Sequence, residues 1–207
     1  MIIAIDGPSA SGKGTLARRL AAHYGLAYLD SGSLYRGVAL MLINQGIDPK
    51  DKAAAEKAAE EFDLDILKDS KLRHEKTGEA ASFVAAIPGV RKGLLKFQRD
   101  FAENPPGGLK GAVIDGRDIG TVVCPAANFK FFVTASDEVR ARRRTQEMHD
   151  NGLEADFGQI LETIKDRDAR DSTREISPLR PAEDAHLLDT TNLDIDGAFE
   201  KARLILE

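Results

Sequence analysis

The stretch "IIAIDGPSASGKGT", Ile2 to Thr15, sets a short apolar run directly before a glycine-rich loop and a helix-forming sequence. Phosphate-binding loops read G-x-x-x-x-G-K-[ST], and the motif carries weight only between a strand and a helix. Here Ile2 to Asp6 supplies the strand and "KGTLARRLAAHYG" the helix. Gly7, Gly12 and Gly14 let backbone N–H groups turn inward, while Lys13 and the helix N-terminus add positive potential for a polyphosphate. The expected phosphate loop is therefore Gly7, Pro8, Ser9, Ala10, Ser11, Gly12, Lys13, Gly14 and Thr15. A plain strand-helix turn with a spare lysine is the alternative, and the flanking elements argue against it. Gly14 is the exception, because it stands where the Ser or Thr that meets Mg²⁺ is expected.

Outward from the loop, short apolar runs alternate with helical stretches to the end of the chain, the pattern of a parallel sheet covered on both faces. Strands are expected at Ile2 to Asp6, Ala27 to Leu29, Ala112 to Asp115, Phe129 to Thr134 and His186 to Leu188. Helices are expected at Lys13 to Tyr24, Ser33 to Gln45, Lys50 to Phe62, Val90 to Glu103, Asp137 to Asp150, Phe157 to Asp171 and Ile195 to Leu206. Between Leu64 and Gly78 the sequence turns irregular and polar, which reads as a surface loop or a reduced insertion. The expectation is one α/β domain spanning residues 1–207, with a five-stranded parallel sheet in three layers.

The net charge of −5 argues against a general affinity for nucleic acid or an anionic membrane, so any bound anion must be held by local arginine clusters. A single cysteine, Cys124, rules out an internal disulfide, and the four histidines have no zinc-like spacing. No run is apolar for long enough to span a membrane, and Ile2 to Ile5 is too short for a signal-peptide core. A cytoplasmic monomer without a bound metal cluster is the expectation.

The ending G-K-G-T resembles the nucleoside monophosphate kinases, in which the hydroxyl residue is displaced by one position, here to Thr15. In that reading Mg²⁺ is held mainly by phosphates and water, with Asp6 or Asp115 as an outer-shell partner. Such an enzyme needs a second anion site facing the first, because its acceptor is itself a phosphate. "DSGSLYR" puts Ser31 and Arg36 after the second strand, "PGVR" puts Arg91 at a helix start, and "DGRDIGT" puts Arg117 and Asp118 after the third strand. Ligands bind open parallel sheets at the carboxyl ends of the strands, so these loops should converge. Guanidinium groups suit phosphate because they are planar, permanently charged and able to bond it bidentately. In "IKDRDARDSTR", Arg167, Arg170, Asp171 and Arg174 recur at spacings of three and four along one helix face. That face reads either as a lid closing over the phosphates or as a salt-bridged exposed helix. Arg142, Arg143 and Arg144 read as a solvated face, or as a flank for the adenine.

In order along the chain, "IDGPSASGKGT", "LDSGSLYR", "ASFVAAIPGVR", "DGRDIGTVV", "RDARDSTR" and "LDTTNLDID" resemble the bacterial cytidylate kinases over nearly the whole sequence. The resemblance implies a P-loop kinase fold, transfer of the ATP γ-phosphate to CMP or dCMP, and Mg²⁺. It implies that Ser31, Arg36, Arg91 and Arg117 line the CMP side, with Ser82, Arg91 and Asp118 near the base. Asp171 would meet the ribose, Arg174 would sit at the CMP end of the lid, and Arg167 would reach the transferring phosphate, so that Lys13, Arg117 and Arg167 carry the catalysis. It also implies an acceptor-binding segment over about 31–104 and a lid over about 145–175. Two departures stand out: Leu64 to Thr77 is too short for the full small-sheet insertion of bacterial members, and Phe83 replaces an expected polar residue beside Ser82. Two other readings stay open at this point. One is a small-molecule kinase of the shikimate or gluconate type, with Asp30 or Asp118 as base; the other is an ATP-binding switch without a transfer reaction.

Overall fold

The computed structural model describes residues 1–207. The apolar runs form β1 (Ile2–Asp6), β2 (Ala27–Asp30), β3 (Ala112–Gly116), β4 (Phe129–Thr134) and β5 (His186–Asp189). They make one parallel sheet in the order β2-β3-β1-β4-β5. Asp6 pairs with Gly116, so β1 and β3 end level and deliver the glycine loop and "GRDIG" to the same edge. Around the sheet run α1 (Lys13–Tyr24), α2 (Ser31–Asn44), α3 (Lys52–Glu60), α4 (Glu75–Val84), α5 (Pro88–Glu103), α6 (Asp137–Asp150), α7 (Phe157–Thr173) and α8 (Ile195–Leu206).

The strand period of two sorts β1 between two cores. Ile3 and Ile5 join Leu16 and Leu20 of α1 and Phe199 and Ala202 of α8 on one face. Ala4 joins Leu29, Ile114 and Ala102 of α5 on the other, giving the three expected layers. Fully buried side chains such as Ile5 and Phe131 each contribute about 1.5–3 kcal/mol of transfer free energy. Two further cores lie off the sheet. Leu34, Val38, Leu42, Ala55, Val84 and Leu94 knit α2 to α5 together, and Ala141, Met148, Ile160 and Ile164 join α6 to α7.

Several helix starts follow from capping. Asp30, Asp51, Asp156 and Asp194 each accept a hydrogen bond from the backbone N–H three residues on. The Asp30 cap starts α2 at Ser31, directly after β2 and two residues earlier than expected. Pro88 begins α5 two residues before Val90, since its fixed φ suits a first helical turn. The expected irregular segment, Leu64 to Gly78, is wrong over its last four residues. Leu64–Lys68 and Ser70–Arg73 are short 3₁₀ turns, but Glu75–Val84 is a full helix. Its buried face is made of Thr77, Gly78, Ala80, Ala81, Ser82 and Val84, nearly all small residues that leave no strong apolar period to read.

Candidate active site

The chain leaves β1 through a loop that tolerates little change. A Cβ on Gly7 would lie 2.0 Å from the Val133 carbonyl oxygen, so the loop can cross the end of β4 only without a side chain there. Gly12, at φ 88°, turns the chain into α1. Two arginines and a threonine from distant elements grip the loop carbonyls. Arg140 Nη1 donates to Ser9 O at 3.1 Å, Arg143 Nη1 to Ser11 O at 3.4 Å, and Thr190 Oγ1 to Ser11 O at 2.9 Å. Arg143 also donates to Thr190 O and Leu193 O, tying the loop to the segment after β5. Arg143 is thus tied to backbone carbonyls rather than wholly solvated; Arg142 is exposed, and Arg144 pairs with Glu147 at 2.8 Å.

A cleft of about 460 Å³ opens beside this loop. Ser9, Ala10, Gly12, Lys13, Gly14 and Thr15 line it from the loop, whereas Gly7, Pro8 and Ser11 lie behind as support. Facing them are Arg36 of α2, Arg117 after β3, and Arg167 and Arg170 of α7. Lys13 Nζ donates to Pro8 O at 3.2 Å. Burial and then the nearby Arg117 push its pKa down. Arg167 is pushed down to about 9 by burial and by Arg117, and its Nε is buried without a partner. Of these cations only Arg117 has an ion pair within the chain, and cations held so close together are arranged for a phosphate-rich ligand. A second pocket, of about 480 Å³, lies on the outer side of α4 and contains none of the expected site residues.

The missing hydroxyl at Gly14 has a visible neighbour. A Cβ there would stand 3.7 Å from Asp115 Oδ2 and 3.8 Å from Tyr28 Oη. Tyr28 donates to Asp115 Oδ1 at 2.8 Å. Burial and the neighbouring Asp30 raise the pKa of Asp115, while Lys13 opposes the shift. Asp6, the other carboxylate expected near a metal, is committed elsewhere. Its two oxygens accept from Ile119 N and Gly120 N, each at 2.8 Å, and hold the wide turn Ile119–Val123 against β1. Buried at 3% exposure, Asp6 has its pKa raised to about 7 by desolvation despite those two bonds. No group of three or more His, Cys, Asp or Glu is placed to hold a metal by itself.

Deeper in, the expected acceptor-side residues form one buried chain of alternating charge. Arg91 Nη2 bonds Asp118 Oδ2, and Arg174 lies 3.9 Å from Asp118 Oδ1 and 4.0 Å from Asp171 Oδ1. Asp171 Oδ2 in turn accepts from Arg117 Nε at 2.9 Å. Burial opposes the ionised form of Asp171, but Arg117 and Arg167 outweigh it and hold the pKa below the usual carboxylate range. The face of α7 is therefore not a self-contained exposed helix, because its acidic residues pair with other elements: Asp171 with Arg117, and Asp168 with Arg140. Arg91 Nη1 reaches back to Ala85 O at the end of α4, the helix that carries Ser82. Ser82 Oγ and Arg174 Nη2 are buried and make no hydrogen bond. Ser31 is buried where its Oγ occupies the space a Cβ on Gly116 would need. Arg36 donates to Leu72 O, and its guanidinium lies against Gly78, where any side chain would displace it.

Sequence reasoning missed Arg140 and Thr190 as braces of the loop, Tyr28 as the partner of Asp115, and Tyr35, whose ring faces the Arg91 guanidinium at 5.3 Å. Tyr35 lies inside the quoted "DSGSLYR", so that signal was present. Arg140 and Thr190 reach the loop across 131 and 179 residues, and no local pattern marks them.

The sequence model of the family described as cytidylate kinase matches residues 3–205. A cytidylate kinase of Paramagnetospirillum magneticum is 57% identical over 201 residues, covering 97% of this chain and 95% of the relative. That of Methylocella silvestris is 55% identical over 207 residues, covering 100% and 94%. Among solved structures, an uncharacterized protein from Eubacterium ventriosum superposes with a TM-score of 0.58 at 15% identity, covering 100% of this chain and 98% of the other, a likeness of fold alone. Matched by the family model over residues 3–205 and more than half identical along its length to these relatives, the chain belongs to the cytidylate kinase family.

Proposed function

We propose that the cleft transfers the γ-phosphate of ATP to CMP or dCMP, giving ADP and CDP or dCDP, with Gly7–Thr15 cradling the triphosphate and the buried Arg91–Asp118 pair reading the base. As a member of the cytidylate kinase family, the chain is an ATP-dependent (d)CMP kinase. The observation that carries the base assignment is the buried Ser82 Oγ and Arg174 Nη2 beside that pair, neither of which makes a hydrogen bond, because buried polar groups left without one cost about 1–3 kcal/mol each until a ligand meets them. Cytosine offers an amino donor beside ring-nitrogen and carbonyl acceptors, which complements a carboxylate next to a guanidinium.

In this reading Ser31, Arg36, Arg91 and Arg117 hold the acceptor, Asp171 meets its ribose, and Arg174 closes the CMP end. Lys13, the loop N–H groups, Arg117 and Arg167 stabilise the negative charge that spreads over the transferring group during in-line displacement. No general base is required, since the acceptor phosphate has a second pKa near ~6 and is largely ionised at pH 7. This separates the reaction from hydroxyl-accepting small-molecule kinases; of the two carboxylates that could serve those as base, Asp118 bonds Arg91, while Asp30 lines the cleft and caps α2. Bound Mg²⁺ supplies neutralisation of the phosphate oxygens, and Asp115, Asp30 and Thr15 line the cleft where they would hold its waters. The chain acts as one domain over 1–207, with an acceptor-binding segment of about 31–104 and a lid of about 145–175, as a cytoplasmic monomer. No helix is long and apolar enough to cross a membrane.

The test is coupled ADP release for Lys13→Ala at saturating ATP, Mg²⁺ and CMP. We expect turnover to fall by about 100-fold or more with the fold intact by circular dichroism, and chelation of Mg²⁺ to abolish wild-type turnover. Near-normal turnover of a folded Lys13→Ala protein would remove the loop from the mechanism.

A further inference from the structure

The Phe83 ring takes a cation from each of two other elements. Arg170 Cζ of α7 lies 4.8 Å from its centroid, and Lys50 Nζ, from the turn between α2 and α3, lies 4.5 Å away. Arg170 lines the phosphate cleft, yet it forms no ion pair within the chain, and its buried Nε has no hydrogen-bond partner. Its neighbour on the cleft, Arg117, is aimed by a carboxylate, Asp171. A carboxylate orients a guanidinium by consuming its N–H donors and cancelling its charge. An aromatic face orients the same group through its ring quadrupole and leaves the edge donors free.

We propose that Phe83 is a positioning residue for phosphoryl transfer: its ring aims Arg170 into the cleft and docks α7 onto the acceptor-side helix α4, while leaving the guanidinium donors for phosphate. The proposal rests on the reading of α7 as the lid. It gives a role to an apolar residue at a place where a polar one was expected, immediately beside Ser82.

The test compares Phe83→Leu, which keeps apolar bulk without a π face, with Phe83→Trp, which keeps the face. With CMP and ATP, Phe83→Leu lowers kcat by about 3- to 10-fold, with the KM for CMP within about twofold of wild type and Tm little changed. Phe83→Trp restores kcat to within about twofold, which a purely structural role for bulk at this half-buried position would not require. In an Arg170→Met background, Phe83→Leu costs nothing further. Unchanged kcat in Phe83→Leu, or an equal loss with and without Arg170, overturns the proposal. The chain has no native tryptophan, so the Phe83→Trp protein carries one indole, and Arg170→Met shifts its emission if the two groups touch. An emission indifferent to Arg170 also overturns it. These arms separate from the function reading: absence of CMP-dependent turnover in the wild type defeats that reading, while the fluorescence comparison still decides the contact.

Discussion

Asp118→Asn tests base recognition with the least change of shape. Asp118 Oδ2 takes a hydrogen bond from Arg91, and Oδ1 faces Arg174 at 3.9 Å, with both arginine side chains and the carboxylate almost wholly buried. Complete removal of one partner from a buried pair costs about 3–5 kcal/mol, because the other charge is stranded. Asparagine keeps one acceptor, so the loss of stability should be nearer ~2 kcal/mol, about 4–8 °C in Tm for a chain of this size. The effect on selectivity has a different origin. A carboxylate can only accept, which suits the cytosine amino group, whereas an amide can turn its NH₂ toward the carbonyl of uracil. Loss of one discriminating contact of about 1.4–2.8 kcal/mol predicts a 10- to 100-fold fall in the ratio of kcat/KM for CMP over UMP. The assay is coupled ADP release at subsaturating acceptor, well below Tm, with the KM for ATP as internal control. An unchanged CMP/UMP ratio in a folded Asp118→Asn protein would refute the reasoning and move base recognition elsewhere.

Two other outcomes follow from the geometry. Gly7→Ala drives a methyl group into the Val133 carbonyl 2.0 Å away, and should cost about 2–4 kcal/mol, read as a lower urea midpoint at constant m; an unchanged midpoint would mean that the loop can move off β4. Proton linkage supplies the second. Burial and Arg117 hold Arg167 near 9, and a bound phosphate must raise it, so above pH 9 the complex keeps a proton that the free protein has lost. Nucleotide binding should therefore take up protons, and affinity should fall as pH rises, by at most about tenfold per unit for this group. Lys13 is also pushed down and adds uptake at lower pH. Calorimetry in two buffers of different ionisation enthalpy checks the sign, and net proton release would contradict it.

What could be read from the sequence was local. The strand, loop and α1 share one continuous motif, and the arginines of "DSGSLYR" and "DGRDIGT" follow strands whose carboxyl ends a parallel sheet must bring together. Helix α4 escaped because Gly78 and a row of alanines pack closely without the large apolar residues that announce a helix. The pairing of Asp171 with Arg117 across 54 residues, rather than with its own helix, turned on tertiary structure. So did Asp6, whose sequence position beside the loop suggested a metal partner, but whose oxygens instead cap the turn after β3. Phe83 was visible as an anomaly, but the cations on its ring come from α7 and from the turn between α2 and α3, which only the tertiary fold brings to α4.

The most direct measurement is ADP release by the purified protein with ATP and Mg²⁺, comparing CMP, dCMP, UMP, AMP and shikimate as acceptors. The account predicts strong dependence on CMP and dCMP, weak turnover with UMP and AMP, and none with shikimate. Turnover of ATP that proceeds equally well without a pyrimidine monophosphate, or that prefers shikimate, would contradict it.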